Sequence, residues 1–258
     1  MFPEPLQIGP IRVYPMFIAL TLGIGLAVLL AVHRSLRCHV PVSTTLKLAL
    51  IFIIAGFIGG KAFGVLLYWQ QIDGNPIRFL KRGFAGSGAI GAFLLAVPIG
   101  IWYLRKRTAT ACKVLDVVAP AIMVVVSIGR VGCLASGCCF GKPAAGLLWA
   151  VFDPSSPAGS TFPGQPLVPT QLYQAISASV IMVILLGFDR KKSHAGHTFC
   201  LMVFLYGLDR FIIDFYRYYD SSQLLPAVGG YAMPITQAFS VLMVVAAPLL
   251  ALYFKRAR

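Results

Sequence analysis

Between Ser127 and Pro143 the chain reads SIGRVGCLASGCCFGKP, which gathers one arginine, three cysteines and four glycines into seventeen residues. Arg130 falls about one turn before the end of an otherwise uncharged apolar segment. Water is scarce there and an unpaired charge costs about 2.5–3.5 kcal/mol or more, so an anionic group is expected to meet it. Gly129, Gly132, Gly137 and Gly141 allow close packing or sharp turns, and are expected to leave N–H groups facing a ligand. A thiol beside an arginine ionises more readily than a free one, so Cys133, Cys138 and Cys139 are candidates for a reactive thiolate.

Composition decides what kind of elements hold this stretch. Hydrophobic residues make up 58% of the chain and charged residues only 12%, about half the charged share of about 25% usual in soluble domains. This describes an integral membrane protein. The net charge of +14 does not point to nucleic acid, because the basic residues sit in short clusters between apolar runs, as membrane topology requires. Seven apolar stretches approach the length that crosses a hydrocarbon core of about 30 Å. They lie near Tyr14–Val32, Leu48–Trp69, Gly88–Leu104, Val114–Gly132, Gln171–Phe188, Thr198–Tyr216 and Pro234–Phe254, and predict an all-α polytopic fold in a single membrane domain, residues 1–258. The first stretch lacks a basic start and a small-residue cleavage site, and is read as a retained helix.

Orientation follows from the basic residues between the spans. One set of connections holds Arg34, Arg37, Lys47, Arg105, Lys106, Arg107, Lys113, Arg190, Lys191, Lys192, Lys255, Arg256 and Arg258. The opposite set holds only Arg12, Arg78, Lys81, Arg82, Lys142 and Arg217, so the N-terminus is expected outside and the C-terminus in the cytoplasm. The Pro-rich connection 133–170 then becomes an outer-face head carrying Leu147, Leu148, Trp149, Val151 and Phe152, with at most a short hairpin in it. The Gln71–Gly86 loop, where Arg78, Lys81 and Arg82 flank Phe79 and Leu80, reads equally as an interfacial amphipathic segment or a solvated connector.

Three cations remain inside the spans: Lys61, Arg130 and Arg210, with Asp209 and Asp214 as the main acids. Asp209 with Arg210, or Arg210 with Asp214 one turn later, could pair merely to hold helices together. The surplus of cations in a low dielectric is also what an anionic headgroup would neutralise.

Four segments, in order, resemble the prolipoprotein diacylglyceryl transferase family. They are Ile58-Gly59-Gly60-Lys61; Gly129-Arg130-Val131-Gly132 with Ser136-Gly137 and Phe140-Gly141; Pro169-Thr170-Gln171-Leu172-Tyr173; and Gly207 to Arg217, GLDRFIIDFYR. The resemblance implies an enzyme of the bacterial cytoplasmic membrane that takes phosphatidylglycerol. It would move the diacylglyceryl group to the lipobox cysteine thiol of a prolipoprotein and release glycerol phosphate. Arg130 and Arg210 match arginines placed around the phospholipid headgroup, and Tyr14, Gln171, Tyr173, Asp214 and Arg217 match positions near the same cavity. Gly137 belongs to the arginine-glycine signature. Lys61 stands where the family usually has arginine, which keeps the charge and loses the bidentate fork.

The departures fall on polar positions. The family's histidine before its Gly-Gly-Leu-Ile-Gly run is replaced by Gly86, the asparagine and glutamate of its signature by Cys133 and Cys138, and a histidine before Pro169 by Val168. His33, His39, His194 and His197 all lie in connections assigned to the cytoplasm, so no histidine is expected to act as base on the outer face. Catalysis is therefore assigned to Arg130, Arg210, Cys138 and Cys133. Substrate binding is assigned to Tyr14, Lys61, Gly137, Gln171, Tyr173, Asp214 and Arg217. For the cysteines, structural thiols or a disulfide, a reactive thiolate and a metal site all remain open. Metal is the least favoured, since C-x4-C-C without an outer histidine lacks the paired spacing of zinc sites, and neither metal nor cofactor is expected. The alternative to a transferase is a non-catalytic or transporting relative that binds anionic lipid, with a structural cysteine cluster.

Overall fold

The computed structural model describes residues 6–8, 11–67, 89–104, 108–144, 148–192, 194–227 and 230–256. The Gln71–Gly86 loop and the position of Gly86 lie outside them. The described chain is helical: α1 Pro15–Arg37, α2 Val42–Leu67, α3 Ala89–Leu104, α4 Thr108–Ala135, α5 Pro157–Thr161, α6 Thr170–Asp189, α7 His197–Tyr216 and α8 Ile235–Arg256. Ahead of α1, the three-residue strands β1 Leu6–Ile8 and β2 Ile11–Val13 pair antiparallel with Leu6 opposite Val13.

Five of these helices, α1, α2, α4, α6 and α8, are long and apolar enough to cross a membrane. The other two expected spans are present as helices with distinct limits. α3 has 16 residues, and α7 carries Asp209, Arg210 and Asp214 among its 20. Many large apolar side chains on the long helices face outward, as Leu22, Leu29, Val183 and Leu249 do, which suits lipid rather than water.

The residues divide into two compact units, Val32–Val114 on one side and Met1–Ala31 with Leu115–Arg258 on the other. In the first, α2 and α3 touch backbone to backbone. A Cβ on Gly59 would lie 2.3 Å from the carbonyl oxygen of Gly91, so only glycine fits this approach. Lys61 is buried in α2, two residues further on.

In the second unit α4, α6 and α7 share a core of Ala119, Met123, Ile181, Leu185 and Met202. Ser127 of α4 donates to the carbonyl of Ala175 in α6 at 2.9 Å and meets Ser179 Oγ at 2.8 Å, which satisfies hydroxyls that lipid could not. The start of α7 is capped from a distance. The N-cap, Gly196, has no side chain to offer, and the buried carboxylate of Asp116 on α4 takes the N–H groups of Gly196 (2.6 Å) and Phe199 (2.9 Å) while pairing with Lys192.

Residues 140–167 have a small core of their own. Phe140, Phe152, Ala158 and Leu167 pack together with Phe162 and Tyr218, the Phe140 and Tyr218 rings stacking at 5.6 Å. Leu148, Trp149 and Val151 stay exposed, whereas Phe152 is buried.

Candidate active site

The cysteine stretch owes its shape to the way α4 ends. Cys138 N–H reaches the carbonyl of Cys133 (3.1 Å) and Gly137 N–H that of Leu134 (3.2 Å), the paired bonds of a Schellman cap, with Gly137 at φ +64° in the left-handed region. This cap folds the chain back over its own last turn. Cys138 consequently returns to Cys133, five residues earlier, and the C-x4-C-C spacing becomes a cluster whose three Sγ atoms lie within 4.8 Å of one another. The spacing that argued against a metal site in the sequence thus assembles three sulfurs through the cap. The same cap corrects another expectation: the N–H of Gly137 is spent on Leu134 and that of Gly141 on Val168 (3.0 Å), so neither faces a ligand.

Two further elements clamp the cluster. Thr170 and Gln171, at the start of α6, donate side-chain hydrogen bonds to the carbonyls of Cys139 (2.9 Å) and Cys138 (2.7 Å). Beyond it, Gly141 bridges antiparallel to Arg217, with Lys142 N–H on the Tyr216 carbonyl (2.8 Å) and Tyr218 N–H on that of Phe140 (3.1 Å). Arg217 is thereby held beside Cys139.

Arg130, on the last turns of α4, comes to the same place, with Nη1 4.0 Å from Cys133 Sγ. Among the described residues neither Arg130 nor Arg217 has a carboxylate within salt-bridge distance. The Cys139 thiol is held well below the ordinary thiol range by hydrogen bonds from Cys133 and Cys138, with Arg217 and Arg130 acting in the same direction, whereas Cys138 is pushed up as their donor. Among these thiols, Cys139 rather than Cys138 is the one disposed to ionise. Two buried polar atoms close by have no hydrogen-bond partner among the described residues: Arg217 Nε and Gln171 Oε1.

Arg210 presents a different picture. It pairs with Asp214 one turn on (2.8 Å) and donates to Gln174 Oε1 and Tyr219 Oη, both at 3.2 Å. Asp214 in turn accepts from Tyr219 (2.7 Å) and Thr236 (2.6 Å). Burial pushes the Tyr219 phenol up, so it stays a neutral donor. Its ring also lies under the Arg217 guanidinium at 5.2 Å, which links the two clusters.

Of the residues singled out from the sequence, Arg130, Cys133, Gly137, Cys138, Gln171 and Arg217 are brought together. Arg210 and Asp214 form the neighbouring network. Tyr173 borders a largely apolar groove of about 490 Å³ between α6 and α7, with Ser177 and Asp209. Tyr14 is exposed just before α1, and Lys61 belongs to the other unit. Two residues of this network were not singled out in the sequence: Tyr219, in the loop after α7, and Thr236, in the first turn of α8, neither of which carries a motif. Cys139 was a thiolate candidate from the sequence but was not among the residues assigned to catalysis.

Fold and site together define a multi-pass membrane protein that holds two uncompensated arginines over a loop at a helix end. The family model for prolipoprotein diacylglyceryl transferase matches residues 3–253, and the chain belongs to that family. It is an enzyme of the diacylglyceryl transferase class. A phosphatidylglycerol–prolipoprotein diacylglyceryl transferase of Clostridium tetani is 32% identical over 219 residues, covering 84% of this chain and 86% of the relative. One from Dehalococcoides mccartyi strain BAV1 is 30% identical over 253 residues, covering 96% and 92%. One from Pseudomonas aeruginosa strain PAO1 is 31% identical over 225 residues, covering 85% and 81%.

Proposed function

We propose that this chain transfers the diacylglyceryl group of phosphatidylglycerol to the cysteine thiol of a prolipoprotein, with Arg130 and Arg217 holding the headgroup phosphate. The observation that carries this reading is the pair of arginines left without carboxylates beside two unpartnered polar atoms, Arg217 Nε and Gln171 Oε1. A phosphate would satisfy the donor and a headgroup hydroxyl the acceptor. Charge-assisted bonds to both arginines strengthen as negative charge develops on the leaving oxygen, which is where catalysis gains most.

In the reaction, the acceptor sulfur bonds to the glyceryl carbon that carries the phosphate. The carbon–oxygen bond breaks, glycerol phosphate departs with the bonding pair, and the acceptor's proton passes to solvent. The field of two arginines favours ionisation of the entering thiol, so no histidine is required. Cys133 positions Arg130 through its sulfur, and Arg210 with Asp214 positions Arg217 through Tyr219. The apolar groove beside Tyr173 is suited to an acyl chain.

Seven spans with the N-terminus outside would put residues 133–170 and the site on the outer leaflet of the bacterial cytoplasmic membrane. The pairing of Arg210 with Asp214, Gln174 and Tyr219 supports α7 as a span, since it offsets the cost of burying its charges. The test is to incubate the purified protein with phosphatidylglycerol and a lipobox peptide, then measure thioether-linked peptide and glycerol phosphate. Lipid binding without either product would favour the non-catalytic alternative. Complementation of a cell depleted of its own diacylglyceryl transferase, read by lipoprotein mobility, would establish the acceptor.

A further inference from the structure

We propose that Cys133, Cys138 and Cys139 form a three-sulfur site for a soft monovalent metal ion of the Cu(I) type. Their Sγ atoms already lie within 4.8 Å of one another. Three sulfurs around one ion with bonds of about 2.3 Å stand about 4 Å apart, so small side-chain rotations close the site. The backbone is shaped toward this end. Cys139 sits at φ +61°, a conformation that costs a residue with a β-carbon about 1–2 kcal/mol and that glycine would adopt freely. The strained residue brings the third thiol to the other two.

The donor set selects the metal. Among the described residues the cluster contains no imidazole or carboxylate, and the Met16 thioether lies 4.0 Å from Cys133 Sγ. Thiolates and thioethers favour Cu(I) over hard cations. Arg130 and Arg217 beside the cluster favour the ionised, metal-binding form of its thiols. As the metal–sulfur bonds form, the thiol protons pass to solvent and no electron changes hands.

The test does not depend on the lipid reaction. Reduced, full-length protein in detergent is titrated anaerobically with Cu(I) in competition with bicinchoninate. A single equivalent should leave the chromophore, near-ultraviolet thiolate-to-Cu(I) absorption should appear, and a large excess of Zn(II) should not reverse it. A variant with Cys38, Cys112 and Cys200 changed to serine should behave alike, while serine at Cys133, Cys138 and Cys139 should abolish uptake. Because the triple variant can misfold, Cys133→Ser is measured beside it and should bind roughly tenfold to a hundredfold more weakly, the scale on which metal-site partners act. Undiminished uptake in the cluster variants, displacement by Zn(II), or a cluster disulfide that re-forms and takes no copper would each overturn the proposal.

Discussion

Two arginines on apolar helices meet opposite fates in this molecule. Arg210 is compensated: it pairs with Asp214 and donates to Gln174 and Tyr219, and Thr236 donates to the same carboxylate. Arg130 meets thiols rather than a carboxylate, with Arg217 as a second cation beside it. A charge that costs several kcal/mol to bury is tolerated in both places, but only the first is compensated by the protein alone. The closed network holds helices, and the open one leaves work for a ligand.

The strongest way to break this comparison is Arg130→Ala. It should abolish lipid turnover in the purified protein, by roughly a thousandfold or more as for loss of a main transition-state donor, while leaving a monodisperse, membrane-inserted chain. Near-normal turnover would remove Arg130 from the headgroup site. Arg130→Lys should also be impaired, because an ammonium cannot make two parallel contacts.

The reciprocal change is Asp214→Ala, which strands Arg210 and should cost about 3–5 kcal/mol of stability, read by thermal unfolding in detergent. If Asp214→Ala were as stable as the parent but inactive, the network would be catalytic and the contrast with Arg130 would fail. Arg217→Ala removes one charge-assisted contact of about 1.5–3 kcal/mol, so kcat/KM for phosphatidylglycerol should fall about ten- to hundredfold with folding retained.

Gly137→Ala gives the smallest effect of the series. The residue sits at φ +64°, where a β-carbon costs about 1–2 kcal/mol, and its new Cβ would lie 2.6 Å from that of Ser156. Thermal stability should drop modestly, and the cysteines should become more reactive to external thiol reagents as the cap loosens. Unchanged reactivity would mean the cap does not hold the cluster.

How far the sequence could be read depended on whether a feature was local. The helices at the expected spans and the uncompensated Arg130 followed from apolar runs and a single charge. The Schellman cap was locally encoded too, since Gly137 ends a helical run and Gly141 and Pro143 follow within six residues. Its meaning lay in which residues it superposed, Cys133 and Cys138. Arg217 reached the site by another route, through the pairing of Gly141 with a residue far along the chain, for which no local pattern exists. The closed network around Arg210 and Asp214 depended on Tyr219 and Thr236, brought in from beyond α7 and from α8. Periodicity reports which face of a helix is apolar, and it is silent about which distant hydroxyl will meet a carboxylate.

The capping of α7 by Asp116 also sets a clock on biogenesis. Asp116 emerges 80 residues before the Gly196 N–H that it serves. At synthesis rates of about 5–20 residues per second, its carboxylate waits on the order of 4–16 s for its partners. Changes at Asp116 should therefore register first in the yield of assembled protein rather than in the turnover of the molecules that complete assembly.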